Sequence, residues 1–201
     1  MSRSIRTITG LFGVGVGAAL LAMTGCSLHR VTDVVPGAEG SLMFPSVNAQ
    51  NLLDEPVALP DDLLGAPAVV HVAFFQKQQE LVNTWLAEMG RIEQAFAGVR
   101  VIETPVIKGR WAMMAGFIDN GMRSGILEQE ARARTITLFT DTRDFRAALD
   151  LPTDRDVYTL LLDADGRVLA TEPGVFSEKA MQRLIEAGRA VGINAARESG
   201  P

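Results

Sequence analysis

The clearest pattern in the chain lies between residues 66 and 96, where two hydrophobic periodicities adjoin. Residues 69–75 are apolar almost throughout, which is typical of a strand that is covered on both faces of an α/β sheet. After a short polar turn at residues 76–79, apolar side chains recur every three or four residues. That spacing predicts an amphipathic helix whose apolar face packs on the sheet through Leu81, Val82, Trp85, Leu86, Met89, Ile92 and Phe96.

The remaining chain repeats this alternation of strand and helix patterns. Pro152 ends a short helix, residues 163–166 separate two apolar runs as the turn of a hairpin does, and Ser177 suits the N-cap of the last helix. Strands and helices in this order predict an α/β fold with a central mixed sheet flanked by helices. After residue 98 the predicted elements are a strand at 99–107, a helix at 111–122, a strand at 135–140, a helix at 141–149, a hairpin at 157–171 and a helix at 178–191.

The first 25 residues have the pattern of a secretory signal. Arg3 and Arg6 give a positive start without acids, and the apolar run at residues 11–23 is too short and glycine-rich for a permanent membrane span. The run leads to Cys26, the only cysteine of the chain. The segment Leu21-Ala22-Met23-Thr24-Gly25-Cys26 resembles the lipobox of bacterial lipoproteins, and the alternative is an ordinary signal with an incidental cysteine.

The lipobox resemblance implies cleavage before Cys26 and lipidation of its thiol. Acyl chains would then hold the protein on a membrane, because each buried methylene contributes roughly 0.8 kcal/mol. Ser27 stands where an aspartate favours inner-membrane retention, so the resemblance favours the outer membrane, with the protein facing the periplasm. A membrane, contacted through lipidated Cys26, is therefore one expected partner.

Composition divides the chain after the signal into three parts. Residues 26–50 are mostly small and polar and predict a flexible tether, residues 51–192 predict the folded domain, and residues 193–201 predict a disordered tail. The whole chain has 24 acidic and 19 basic residues, a net charge of −5. This acidic balance argues against nucleic acid as a partner.

The span from residue 59 to residue 188 resembles the thioredoxin-like superfamily. The most recognisable parts are residues 59–65, the strand that ends in Phe74 and Phe75, and the hairpin at 160–168. Within the superfamily the pattern is most similar to the mitochondrial ATP-synthase assembly factor that has a thioredoxin fold and lacks cysteines. The resemblance implies a retained fold, no cofactor, and a role in binding or assembly.

Two departures from thioredoxins bear on chemistry. In a thioredoxin the turn after the first central strand holds two reactive cysteines, whereas residues 76–79 read Gln-Lys-Gln-Gln. No cysteine follows Cys26, and thiol–disulfide exchange requires a thiolate. Thioredoxins also place a cis-proline before the hairpin, a position that falls at Val157 because Pro152 is too early. The sequence therefore excludes thiol–disulfide oxidoreductase activity and predicts an altered peptide-binding groove.

No catalytic set or metal site emerges from the other polar residues. His71 lies in the predicted central strand and is interpreted as a hydrogen-bonded core histidine. Residues 163–166 look like the start of a calcium loop, but a hairpin turn explains them better. A group of residues near the second predicted helix is expected to pack in the core, with a ligand or partner groove as the alternative. These residues are Trp111, Met113, Met114, Phe117 and Met122.

These observations lead to two hypotheses about function. The first is a non-catalytic, membrane-tethered thioredoxin-fold lipoprotein that binds a protein partner as an assembly factor in the bacterial envelope. The alternative is a small-molecule-binding protein, or an enzyme without thiol chemistry, that uses the same groove. A flat apolar surface favours the first hypothesis and a deep polar pocket the second. The candidate binding residues are Gln76, Gln79, Trp85, Lys108, Arg110, Trp111 and Tyr158.

Mass spectrometry of the mature protein tests the lipidation hypothesis. We expect the chain to begin at Cys26 and to carry a diacylglyceryl group on the cysteine sulfur. An intact Met1, or cleavage elsewhere with a free Cys26 thiol, would contradict it.

Overall fold

The computed structural model describes residues 42–193 of the 201-residue chain. In this range the strands are β1 (Val47–Asn51), β2 (Pro56–Leu59), β3 (Ala68–Ala73), β4 (Arg100–Lys108), β5 (Ile136–Thr140), β6 (Tyr158–Leu162) and β7 (Val168–Pro173). The helices are α1 (Gln79–Leu86), α2 (Met89–Ala95), α3 (Ala115–Gly125), α4 (Gln129–Arg134), α5 (Thr142–Ala148) and α6 (Glu178–Ala190). Short 3₁₀ turns occupy Asp61–Leu63, Gln76–Gln78 and Gly109–Met114.

The strands form one mixed sheet in the order β2-β1-β5-β4-β3-β6-β7. The pairs β3–β4 and β4–β5 are parallel, and the other neighbouring pairs are antiparallel. Ala73 lies opposite Pro105, and β4 continues until Lys108 pairs with Thr140. The carboxyl ends of the three parallel strands therefore meet at one edge of the sheet, which we call the carboxyl edge.

Both faces of the sheet are buried under helices. Side chains alternate between the two faces along each strand, so each face has a core of its own. One face packs against α5, and its core includes Phe44, Val70, Val72, Phe145 and Leu160. The other face packs against α1, α2 and α6, and its core includes Val69, Trp85, Ile92, Phe96, Leu161 and Leu184.

The predicted α/β fold with a central mixed sheet flanked by helices is confirmed. A strand–helix–strand unit with parallel strands is followed by an inserted strand, a hairpin and a final helix. The hairpin turn forms as predicted, with Asp163 Oδ1 accepting hydrogen bonds from the backbone N–H groups of Asp165 and Arg167 at 2.9 Å each. Ser177 Oγ caps α6 by accepting from Ala180 N at 3.2 Å.

The ordered fold begins earlier in the chain than the sequence predicted. Residues 42–50, part of the predicted tether, contribute Phe44 to the core and most of β1 to the sheet. The hairpin of β1 and β2 was missed because both strands are short and lack a hydrophobic alternation. The predicted signal, Cys26, tether residues 26–41 and tail residues 194–201 lie outside the described residues.

Two predicted helices have a different form in the structure. The helix expected to continue to Phe96 is divided into α1 and α2 at Glu88, so that Trp85 and Ile92 both face the sheet. The helix expected at 111–122 begins instead with a 3₁₀ turn and becomes α-helical only at Ala115. Within residues 42–193, no helix is both long and apolar enough to cross a membrane.

Two helical glycines are expected to respond to alanine with opposite signs. A Cβ atom at Gly188 in α6 would lie 2.8 Å from Cε1 of the buried Phe96 ring, whereas one at Gly121 in α3 would meet nothing within 4 Å. Gly188→Ala should therefore lower the free energy of unfolding by about 1–3 kcal/mol through overpacking. Gly121→Ala should raise it by about 0.5–1 kcal/mol because alanine favours the helix.

Urea unfolding of both variants measures these two changes, with Gly121→Ala as the matched control. Phe96→Leu, which removes the obstructing ring, should reduce the further cost of Gly188→Ala. A stabilising effect of Gly188→Ala in the wild-type background would show that α6 does not pack on Phe96 as described.

Candidate functional site

The turn after β3 is closed by the buried amide side chain of Gln78. Its Oε1 accepts hydrogen bonds from the backbone N–H groups of Phe74 and Phe75 at 2.7 and 3.0 Å. Its Nε2 donates to the carbonyl oxygens of Asp154 and Asp156 at 2.9 and 3.3 Å. The amide thus joins the turn after β3 to the loop before β6. These are the two segments between which the resemblance to thioredoxins predicts a peptide-binding groove.

The sequence did not single out Gln78, although it named its neighbours Gln76 and Gln79. Gln76 is exposed at the carboxyl edge, on the 3₁₀ turn. Gln79 begins α1, and its Nε2 lies 3.1 Å from both Asn83 Oδ1 and Glu103 Oε2. The sequence 76–79 contains three glutamines and a lysine, and nothing in it indicates which side chain is buried. Gln78 is buried because the loop before β6 lies against it and accepts its hydrogen bonds.

Below α1, a row of polar residues crosses the sheet. In order across the strands it consists of Glu172, Thr159, His71, Glu103 and Thr135, each directly opposite the next in register. All five side chains are buried. We call this set the polar row.

The carboxylates of the polar row have hydrogen-bonding or ionic partners. Arg183 from α6 binds Glu172 with two N–H groups, of which Nε lies 2.6 Å from Oε1. Glu103 accepts from Gln79, and its Oε1 lies 3.7 Å from Arg134 Nε at the end of α4. Burial raises the pKa of the Glu103 carboxyl, while the hydrogen bond from Gln79 and the charge of Arg134 act in the opposite direction.

His71 is a core residue, as the sequence indicated. Its Nδ1 lies 3.0 Å from Thr159 Oγ1, and its ring centroid is 6.0 Å from that of Trp85. Its Nε2 has no hydrogen-bond partner within residues 42–193. Burial, with a smaller contribution from the charge of Arg134, lowers the pKa of His71 from 6.5 to about 3. The imidazole is therefore neutral at physiological pH.

Two of the candidate binding residues lie in the core and not on the surface. Trp85 is fully buried, and its Nε1 donates to the carbonyl oxygen of Gly174 at 3.0 Å. Tyr158 is also buried, and its hydroxyl donates to the carbonyl oxygen of Thr153 at 2.9 Å. Both aromatic side chains satisfy their single polar group inside the fold, as buried Trp and Tyr usually do.

Three candidates, Lys108, Arg110 and Trp111, lie together at the carboxyl edge. They belong to the segment that runs from the end of β4 through the 3₁₀ turn into the first turn of α3. Its large apolar side chains are strongly exposed, at 44% for Trp111, 96% for Met113 and 77% for Phe117. We call the side chains of Lys108, Arg110, Trp111, Met113, Met114 and Phe117 the 108–117 surface.

The expectation that these apolar residues pack in the core is wrong for most of them. A 3₁₀ turn has three residues per turn, so residues three apart lie above one another. Trp111 and Met114 therefore share one side, whereas Ala112 and Ala115 face the sheet and contact Phe139. The small alanines take the inward positions, and the large side chains remain in solvent.

The 108–117 surface combines apolar groups with unpaired positive charge. No acidic residue lies between Glu103 and Asp119 in the sequence. The Arg110 guanidinium carbon lies 5.6 Å from the centroid of the Trp111 ring. Among the described residues, neither Lys108 nor Arg110 has a carboxylate within ion-pair distance.

The candidate residues do not line the cleft that the described residues form beside α4. This open cleft of about 600 Å³ is bounded by Leu53, Glu55, Glu128, Gln129, Glu130 and Ala133. Within residues 42–193, no group of three or more His, Asp or Glu side chains is placed to hold a metal ion. The same residues contain no cysteine, so the fold offers no thiol for disulfide exchange.

Comparison with known proteins shows similarity of fold. No family model and no curated protein matches the chain. Solved structures that resemble it include the exposed lipoprotein thioredoxin Etrx1 of Streptococcus pneumoniae, at 10% identity and a TM-score of 0.49, covering 70% of this chain and 98% of that one. A DsbF homologue from Corynebacterium diphtheriae has 15% identity and a TM-score of 0.47, covering 77% and 92% of the two chains. Yeast Sco1 with copper bound has 13% identity and a TM-score of 0.49, covering 81% and 100%.

The stability of the fold should depend on pH through His71. Between pH 6.5 and about 3 the unfolded chain binds a proton at this residue and the folded protein does not. The free energy of unfolding therefore falls as the pH falls, and His71 contributes up to about 1.4 kcal/mol per pH unit. Glu103 acts in the opposite sense, because its raised pKa lets the folded state bind a proton more readily than the unfolded chain.

Urea unfolding of the wild-type protein and His71→Gln between pH 4 and 8 isolates this contribution. The variant should be less stable at pH 8, and the difference should narrow steadily below pH 6.5. His29→Gln, at the only other histidine of the chain, should leave the pH dependence unchanged. A His71→Gln difference that is constant from pH 4 to 8 would refute the assignment of a depressed pKa to His71.

Proposed function

We propose that this chain is a non-catalytic, lipid-tethered binding protein of thioredoxin-like fold that acts as an assembly factor in the bacterial envelope. In this proposal it is anchored through Cys26, sits preferentially on the outer membrane facing the periplasm, and binds a protein partner through the 108–117 surface. The observation that carries the proposal is the exposure of Trp111, Met113 and Phe117 within one short segment at the carboxyl edge.

Contiguous apolar side chains in solvent support a binding role more strongly than isolated ones do. Met113 in the 3₁₀ turn and Phe117 in the first turn of α3 are both strongly exposed where the 3₁₀ turn passes into α3. Trp111 and Met114 add a second stripe beside them. Tryptophan, methionine and arginine are all enriched in protein interfaces, which matches the composition of this surface.

The closed turn after β3 supports a binding role without catalysis. Thiol chemistry lacks its nucleophile, and Gln78 occupies the space between the turn and the loop before β6 with a complete set of hydrogen bonds. The polar groups around it are engaged in holding the fold. The cleft beside α4 does not support the alternative of a small-molecule site in the same groove, because its lining includes none of the candidate binding residues.

The proposal is tested by purifying the full-length lipoprotein from detergent-solubilised membranes of its own host. A specific partner should co-purify with the wild-type protein, and Met113→Ser/Phe117→Ser should reduce its recovery at least tenfold. Burial of each large apolar side chain is worth about 1.5–3 kcal/mol, and 1.4 kcal/mol corresponds to a tenfold change in affinity.

Leu127→Ser is the matched control, because Leu127 is a strongly exposed apolar residue that does not belong to the 108–117 surface. It should leave recovery of the partner unchanged. Both variants should retain the unfolding midpoint of the wild-type protein to within experimental error. The absence of any specific partner in the wild-type preparation would count decisively against the proposed function.

A further inference from the structure

Three cations of the carboxyl edge, Lys77, Lys108 and Arg110, lack acidic partners among the described residues. Lys77 lies 5.8 Å from the centroid of the Phe75 ring, and Arg110 lies over Trp111 in the same manner. This edge therefore presents exposed aromatic rings next to uncompensated positive charge in a chain whose net charge is negative.

Several arginines in other parts of this fold have acidic partners. Arg91 binds Glu178, and Arg183 binds Glu172, each with two N–H groups. Lys108 and Arg110 have no such partner among the described residues, which is also true of the exposed Lys179 and Arg189 on α6. What distinguishes Lys108 and Arg110 is their position beside large exposed apolar side chains.

The carboxylates of the carboxyl edge do not pair with Lys108 or Arg110. Asp141 follows Thr140, which lies opposite Lys108 in register, but its carboxylate is 3.4 Å from Nη2 of Arg143 at the start of α5. Asp154 and Asp156 belong to the loop before β6, which lies on the far side of β3 from β4. Lys108 and Arg110 thus have no carboxylate within ion-pair distance among the described residues, and they lie beside the exposed apolar side chains.

We propose that the 108–117 surface docks an acidic, amphipathic segment of a partner protein. This inference rests on the proposed function and names the chemistry of the partner. The apolar side chains of that segment would cover Trp111, Met113 and Phe117, and its carboxylates would lie opposite Lys108 and Arg110. Burial of the apolar groups supplies affinity, while the charges fix orientation and accelerate encounter.

The path of the chain favours a protein over a lipid surface as the occupant. The described chain begins beside the turn of the β6–β7 hairpin, where Val168 N donates to the carbonyl oxygen of Leu42 at 2.7 Å. The hairpin turn follows Leu162, the last residue of β6, which pairs with Ala68 at the start of β3. The turn therefore lies at the amino end of β3, opposite the carboxyl edge. A lipid tether that arrives at Leu42 would therefore enter the domain at the edge opposite the 108–117 surface.

The test introduces the photo-crosslinking residue p-benzoylphenylalanine at position 113 of the full-length protein in host cells. We expect a discrete protein adduct after irradiation, and mass spectrometry should place the crosslink in a segment with Asp or Glu within a few residues of apolar side chains. Lys108→Glu/Arg110→Glu should reduce the adduct about tenfold. Lys179→Glu/Arg189→Glu, an equal charge reversal at exposed sites on α6, should leave it unchanged.

A charge exchange completes the test. Substitution of the identified acidic residues of the partner by lysine should weaken the adduct with the wild-type protein and restore it with Lys108→Glu/Arg110→Glu. Binding of a synthetic peptide with the identified sequence to the full-length protein in detergent should weaken at least tenfold when its carboxylates are replaced by amides. It should also weaken as sodium chloride is raised, because salt screens exposed charges.

The possible failures separate this inference from the proposed function. A protein adduct in a neutral segment, or one insensitive to the charge reversal, would overturn the acidic partner and leave a binding role intact. An adduct with lipid alone, or with a second copy of this chain, would likewise overturn it. If no protein partner is found by crosslinking or by co-purification, the proposed function fails as well.

Discussion

The arrangement of the carboxyl edge depends on the four hydrogen bonds of one buried amide. A glutamine side chain can accept two hydrogen bonds and donate two, and Gln78 makes all four with backbone groups of two separate segments. Its replacement by an apolar residue would leave buried N–H and carbonyl groups unpaired on both sides, at a cost of about 1–3 kcal/mol for each. The turn after β3 and the loop before β6 are thereby held at a fixed separation, and the edge is closed between them.

The polar row imposes a second constraint, on the register of the sheet and the position of its helices. A buried carboxylate is tolerated only where ionic or hydrogen-bonding partners compensate the loss of water. Glu172 meets this requirement through Arg183 from α6, and Glu103 through Gln79 from α1 together with Arg134 from α4. A shift of any of these three helices would break a contact with a buried charge. The row thus specifies one packing of the helices on a sheet whose other contacts are mostly apolar and non-directional.

Much of the fold could be predicted from the sequence, because the spacing of apolar residues within a short segment indicates whether that segment is a helix or a strand. The strand at residues 69–75, the hairpin with its Asp163 turn and the Ser177 cap each carry their signal within a few residues. The polar row could not be predicted in this way. Its members come from five segments of the chain, and they become neighbours only through the strand register. Gln78 was missed for the same reason, since its partners lie far along the chain.

In the candidate site, residue type alone does not predict which side chains are buried and which are exposed. Both tryptophans were candidates, yet Trp85 is buried and Trp111 is exposed, and the difference arises from the backbone around them. An α-helix beginning at Trp111 would direct positions 111, 114, 118 and 122 to one side, as the sequence analysis assumed. The 3₁₀ turn at Gly109–Met114 rotates the chain so that Ala112 and Ala115 meet Phe139 instead. The change from α-helical to 3₁₀ geometry in this segment thus determines whether the large side chains fill the core or form a surface.

These features together limit how the carboxyl edge can engage another molecule. An extended peptide entering between the turn after β3 and the loop before β6 would have to displace the amide of Gln78 from four backbone partners. The 108–117 surface requires no such rearrangement, because the 3₁₀ turn and the first turn of α3 are fixed on the sheet by Ala112, Ala115 and Phe139. A preformed surface loses little conformational freedom on binding, so more of the apolar burial is retained as affinity. If the proposed binding function holds, docking on the 108–117 surface thus requires less rearrangement than insertion of a peptide beside Gln78.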